Sequence, residues 1–178
     1  MTKFTQILSP ANIRQGVIFS SKKRLFESIA HTISDELDCK KGEQACFENL
    51  FNREKLGNSG LGNGIAMPKG KLPEHIDRII TVFMQLAAPL DYNAADGKDV
   101  DLIFAVLVPS KNCTQYIPML AELTEKFQDK ALIKQLRSAK SADEIWGVFS
   151  HYDQCESEEI EADEEDSASL APESGSEE

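Results

Sequence analysis

From Glu156 to Glu178 the sequence contains no lysine, no arginine and no aromatic residue. Ile160 and Leu170 are the only aliphatic side chains of any size there, too few to offset the entropy of ordering the chain. The segment 155–178 therefore reads as a disordered acidic tail on a domain formed by residues 1–154. Eleven of the 30 acidic residues lie in that tail, which leaves 19 in residues 1–155 against 19 lysines and arginines. The body is formally neutral, and with no basic stripe it offers nothing to nucleic acid. No apolar run approaches the roughly 20 residues of a membrane-spanning helix. The N-terminal MTKFTQIL also lacks the apolar centre of a signal peptide, so a cytoplasmic protein is expected. Cys39, Cys46, Cys113 and Cys155 form no Cys-x-x-Cys pair, which argues against zinc and fits reduced thiols.

Cofactor fingerprints are missing as well. Gly60-x-Gly62-x-Gly64 leaves a helix and enters a strand-like run, whereas a dinucleotide site needs its glycines between a strand and the start of a helix. No Gly-Lys-Ser/Thr opens a helix after it, which excludes a phosphate-cradling loop. No cofactor is expected. Of the histidines, His31 falls on the polar flank of a helix and His75 in the turn KLPEHIDR.

What is present is a regular alternation of helices and strands. Leu25, Phe26, Ile29, Ala30, Ile33 and Leu37 recur at helical spacing after Ser20 or Ser21, which can cap the helix. A second helix is expected from about Glu43 to Lys55. Residues 4–10 read as a short helical turn or a strand, and 12–19 as a strand interrupted by Gly16. Ile79–Leu86 is rich in β-branched and aromatic residues and reads as a strand. Val100–Val108, VDLIFAVLV, is the nearly continuous apolar run of a central strand covered on both faces. Helices follow at about 115–128, with Pro118 in the first turn, and at 130–139. A last one begins at Ser141, where Ser141 and Glu144 make a capping-box pattern. The fold class is α/β, a mixed central sheet of about four to five strands flanked by helices.

The stretch Arg53–Leu72, RExLGxSGxGNGIAxPxGKL, resembles the phosphoacceptor segment of the IIA domains of the sugar phosphotransferase system. It is closest to the nitrogen-regulatory IIA proteins of bacteria. The likeness extends over most of residues 4–150, through SSKKRLFESIA, DLIFAVLVP and the final capped helix. The resemblance implies an α/β fold in which a histidine between the proline and Gly-Lys-Leu takes a phosphoryl group from a small phosphocarrier protein. It also implies regulatory protein partners of the potassium-transport or sensor-kinase type. Arg53 matches the family's phosphate-pairing arginine, and Ser59, Gly60, Gly62, Asn63 and Gly64 would face a partner. At the histidine position stands Lys69, and where the family offers a second histidine the alignment gives Tyr116.

The chemistry of that position is decisive. A neutral imidazole, with a pKa near 6.5, keeps a lone pair at cytosolic pH and can attack a phosphoryl donor. An ordinary lysine, with a pKa of about 10.4, does not. Lys69 is therefore expected to be non-functional as a phosphoacceptor, and the protein to act by binding partners in an unphosphorylated-like state. Two alternatives stand beside this. One is an active phosphocarrier using His75 or a deprotonated Lys69. The other is an anion sensor gripping its ligand with Arg53, Lys69 and Tyr116.

Overall fold

The computed structural model describes residues 1–169. The sheet is built around β6 (Val100–Val108), whose residues from Leu102 to Leu107 have no exposed surface. Side chains alternate across a strand. Leu102, Phe104 and Val106 thus enter one core while Ile103, Ala105 and Leu107 enter the other. β5 (Ile80–Leu90) runs antiparallel along one side of β6, and β1 (Ile13–Val17) pairs parallel to β5 beyond it.

On its other side β6 meets β3 (Ile65–Ala66) and then β4 (Lys69–Lys71), both parallel to it, with Ile65 opposite Leu102 and Lys69 opposite Val106. The two are pieces of one line interrupted at Pro68. Proline has no N–H to give, but its carbonyl still accepts from the Val106 N–H at 2.9 Å. β2 (Gly60–Gly62) folds back antiparallel on β3. Asn63 and Gly64 form the connection at φ 57° and 82°. Positive φ at both central residues is the Asn-Gly hairpin turn that matches strand twist. The sheet therefore has six strands, more than the four to five expected, because the glycine segment is itself paired.

α2 (Lys22–Glu36) and α3 (Glu43–Leu56) cover one face through Leu25, Phe26, Ile29, Ile33 and Leu50. Ser21 caps α2, its hydroxyl accepting from the Arg24 N–H at 3.2 Å. The other face carries α1 (Phe4–Ile7), α4 (Ile117–Lys126), α5 (Lys130–Ser138) and α6 (Ala142–Ser169). Its centre is a group of phenylalanines, with Phe104 and Phe127 5.1 Å apart and Phe83 edge-on to Phe149 at 5.2 Å. At the start of α6 the Ser141 hydroxyl accepts from the Glu144 N–H (3.1 Å). The Glu144 carboxylate reaches back to the Lys140 N–H (2.6 Å) instead of the capping residue's own.

The expectation of disorder from residue 155 is corrected by α6, which continues through Ser169; residues 170–178 lie outside the described part. Burial and helicity are separate matters. The stretch 156–169 has neither proline nor glycine, and glutamate and alanine suit a helix. A helix already nucleated extends without a second nucleation cost. Its root is fixed, since Asp153 accepts from the N–H groups of Phe4 and Thr5 at 2.9 Å each. Glu156 pairs with buried Lys126 at 2.8 Å. From Glu158 onward the helix is exposed, as its composition requires. Among the described residues no helix is long and apolar enough to cross a membrane.

Candidate functional site

β4 lies outermost beside the second half of β6, and α3 seals it. A Cβ on Gly70 would stand 3.2 Å from both Asn49 Oδ1 and Leu50 Cδ2, so glycine is what lets the helix settle on the strand. Asn49 Oδ1 accepts from the Lys71 N–H at 2.7 Å, which fixes the helix against the outer edge. One turn after Asn49 comes Arg53, and two residues before Lys71 comes Lys69, on the same side of its strand. Both line a cleft of about 400 Å³. Leu56 continues the α3 wall, and Val108, Cys113 and Leu120 form the other side.

Three cations line the cleft, Arg53, Lys69 and the exposed Lys71, and the first two have no carboxylate in contact. Neither Arg53 nor Lys69 has a carboxylate within 4.0 Å among the described residues. Lys69 is half-buried, and burial in the first place, then the Arg53 guanidinium, holds its pKa below the ordinary lysine value, while Glu54 pulls the other way. A base whose folded pKa is depressed binds fewer protons folded than unfolded, so stability rises with pH across the interval between the two values. The charge is thus a liability at neutral pH that fades as pH climbs towards the ordinary lysine range. In chemical denaturation, Lys69→Met should be more stable than the parent at pH 7, with the difference shrinking at alkaline pH.

Behind the cleft lies a buried polar network that sequence reasoning did not find. Glu54, buried, meets Lys22 Nζ at 2.6 Å and accepts from the Ser59 N–H at 2.9 Å. The Ser59 hydroxyl is 2.7 Å from the hydroxyl of Tyr92, a side chain with no exposed surface. Lys22 Nζ stands over the Tyr92 ring at 4.0 Å. Burial, followed by the Glu54 charge, pushes the Tyr92 hydroxyl far up, so it serves as a neutral hydrogen-bonding group. Lys22 is the direct ion-pair partner of Glu54, so the carboxylate acts on Lys69 only from a distance and touches neither Arg53 nor Lys69. The available signal was an acidic residue within the buried stripe of α3, next to Leu50.

The remaining expected site residues separate from this cleft. Ser59 is buried and bonded inward, and Gly64 is buried beneath Arg137, whose guanidinium contacts the Asn63 carbonyl. These two do not offer a partner surface, because the hairpin is clamped by side chains from elsewhere: Asp96 accepts from the Asn63 N–H at 2.9 Å, and Arg137 holds Asp101. Gly60 and Gly62 are half-exposed and Asn63 is exposed. The hairpin sits at the far end of the β3–β4 line, since Ile65 is opposite Leu102 but Lys69 is opposite Val106, roughly 13 Å along the strand. Tyr116 does not line the cleft; it is taken up, half-buried, in packing against the second core, and its neighbours Cys113 and Leu120 supply the wall. His75 is exposed in its turn, outside the cleft.

Comparison with known proteins gives a consistent result. Residues 6–152 match the family model described as "Phosphoenolpyruvate-dependent sugar phosphotransferase system, EIIA 2". The chain is 67% identical over 155 residues to the nitrogen regulatory protein homolog of Haemophilus influenzae, covering 86% of this chain and 94% of that protein. It is 35% identical over 148 residues to the nitrogen regulatory protein of Escherichia coli, covering 83% and 90%. Among solved structures it is similar to the nitrogen regulatory protein IIA-Ntr of Neisseria meningitidis, at TM-score 0.73 and 34% identity over 81% of this chain and 97% of that one. The mannitol IIA structure of Escherichia coli, at TM-score 0.64 and 21% identity over 79% and 97%, shares the fold. The chain belongs to the EIIA 2 family of the phosphoenolpyruvate-dependent sugar phosphotransferase system, and within it to the nitrogen regulatory proteins.

Proposed function

We propose that this nitrogen regulatory IIA-type protein accepts no phosphoryl group at the family's usual position and works in the cytoplasm by binding regulatory protein partners in an unphosphorylated-like state. The observation that supports the reading is the cleft itself, in which Lys69 stands beside Arg53 with no anionic partner. A phosphorylated histidine would bring a charge near −2 there, whereas Lys69 adds a positive one. The residue thus resembles the unmodified form of a relative and is opposite in sign to the modified form. By family resemblance the partners are of the potassium-transport or sensor-kinase type.

A second reading is favoured by one observation, the depressed pKa of Lys69. An amine that loses its proton becomes a nucleophile and would form a phosphoramidate. Incubation with the general phosphotransfer proteins and radiolabelled phosphoenolpyruvate separates the two. The adaptor reading predicts no stable label. Acid-labile label abolished by Lys69→Met would establish the amine as acceptor, and label abolished by a change at His75 would establish that histidine.

A further inference from the structure

The cleft has a rim as well as a base. Leu56, which lines it, is 85% exposed, and Ile117, one turn ahead of Leu120 on α4, is 59% exposed. A site lined by Arg53, Lys69 and Lys71, with bare Leu56 at its edge and bare Ile117 on the helix that supplies Leu120 to its wall, suits a carboxylate carried beside an apolar residue. A free small anion would leave the rim wet.

The described chain carries one element of that composition. Between Glu156 and Ser169, α6 presents eight acidic residues and no basic one, and Ile160 is its only large apolar side chain, 36% exposed. Residues three and four apart share a helix face, which places Asp163 and Glu164 one turn beyond Ile160. α6 packs on α1, α5 and β1 and meets α4 through the Glu156–Lys126 pair, and from Glu158 onward it is exposed, with no ion pair to Arg53 or Lys69 among the described residues. Its exposed end therefore does not occupy the cleft of its own chain.

We infer that the cleft of one molecule receives the exposed end of α6 from a second copy, with Asp163 and Glu164 against Arg53 and Lys69 and Ile160 against Leu56 and Ile117. Donor and acceptor are different surfaces, so the contact is heterologous and passes from molecule to molecule. It rests on the proposed function, because the cleft is cationic only while unphosphorylated. It also gives that reading a regulatory form: self-association covers the surface that a partner would use.

Sedimentation velocity of the full-length protein over a concentration series tests it. The coefficient should rise with concentration at low salt and flatten in high salt, where screening acts within a few ångströms. Arg53→Gln/Lys69→Gln keeps the donor helix and loses the acceptor, and Asp163→Asn/Glu164→Gln does the reverse. Each should be monomeric alone, and the mixture should form a one-to-one heterodimer that grows no further. All four side chains are exposed or half-buried, and circular dichroism checks that the variants keep their fold. A wild-type protein that stays monomeric, association indifferent to either pair, or a mixture that fails to complement would overturn the inference. None of these results involves a phosphoryl donor. Label on Lys69 would sink the proposed function and leave the docking result standing; a monomer that takes no label would do the opposite.

Discussion

Lys69→His should give a protein that takes a phosphoryl group from the carrier, with label rising from the background proposed for the parent to a substantial fraction of the protein. The reference pKa values alone set the scale. At pH 7 most of an imidazole but only about one lysine in a few thousand has a free lone pair, a difference on the order of 10³ in reactive species. The lowered pKa of Lys69 narrows that gap. Position 69 already opens into the cleft, and Arg53 lines the same cleft, in place for the incoming charge. Charge-assisted bonds from a guanidinium to phosphate oxygens are among the strong ones. Adding Arg53→Ala to Lys69→His should cut the labelling rate by roughly tenfold to a hundredfold, a loss of the size attached to a charged hydrogen bond. A Lys69→His protein that folds but stays unlabelled would mean that the cleft lacks more than its nucleophile.

The second large effect is on stability. Glu54→Ala should cost about 3 kcal/mol, towards the low end of what breaking a buried ion pair costs by removal of one partner. The side chain of Glu54 is 6% exposed and that of Lys22 is 23%. The lysine left behind is thus partly hydrated, which moderates the cost. The Ser59 N–H loses its acceptor at the same time, and the Ser59–Tyr92 bond beneath it loses its support. Against a total stability of about 5–15 kcal/mol this is a large fraction. It should appear as a lower denaturant midpoint at unchanged slope. Glu54→Gln keeps a carbonyl oxygen for the Ser59 N–H and should be milder. Glu54→Ala/Lys22→Met should recover part of the loss, because the stranded ammonium goes with its partner.

Much of the fold was legible in the sequence because its elements announce themselves at short range. The run from Leu102 to Leu107 has no polar interruption, and Leu25, Phe26, Ile29 and Ile33 repeat at a single period. The glycine segment was harder. Asn63-Gly64 is a hairpin turn in its own right, and the short strands around it have no side-chain pattern to betray them. The far end of α6 was misjudged for a different reason: acidic composition forbids burial, not helicity. At the site, Arg53 and Lys69 were identifiable because the motif holds them together. Lys22, Glu54 and Tyr92 come from three separate stretches and meet only through tertiary packing. Tyr116 was assigned by alignment, while the cleft wall took Cys113 and Leu120 from the same turn and helix.

The most direct measurement is phosphorus NMR of the unmodified protein after incubation with phosphoenolpyruvate and the general phosphotransfer proteins, kept neutral or alkaline so that no labile bond is lost. A spectrum without any protein-bound phosphoramidate is the predicted result. A phosphoramidate resonance that disappears in Lys69→Met would contradict the central claim, since the amine at position 69 would then be the acceptor.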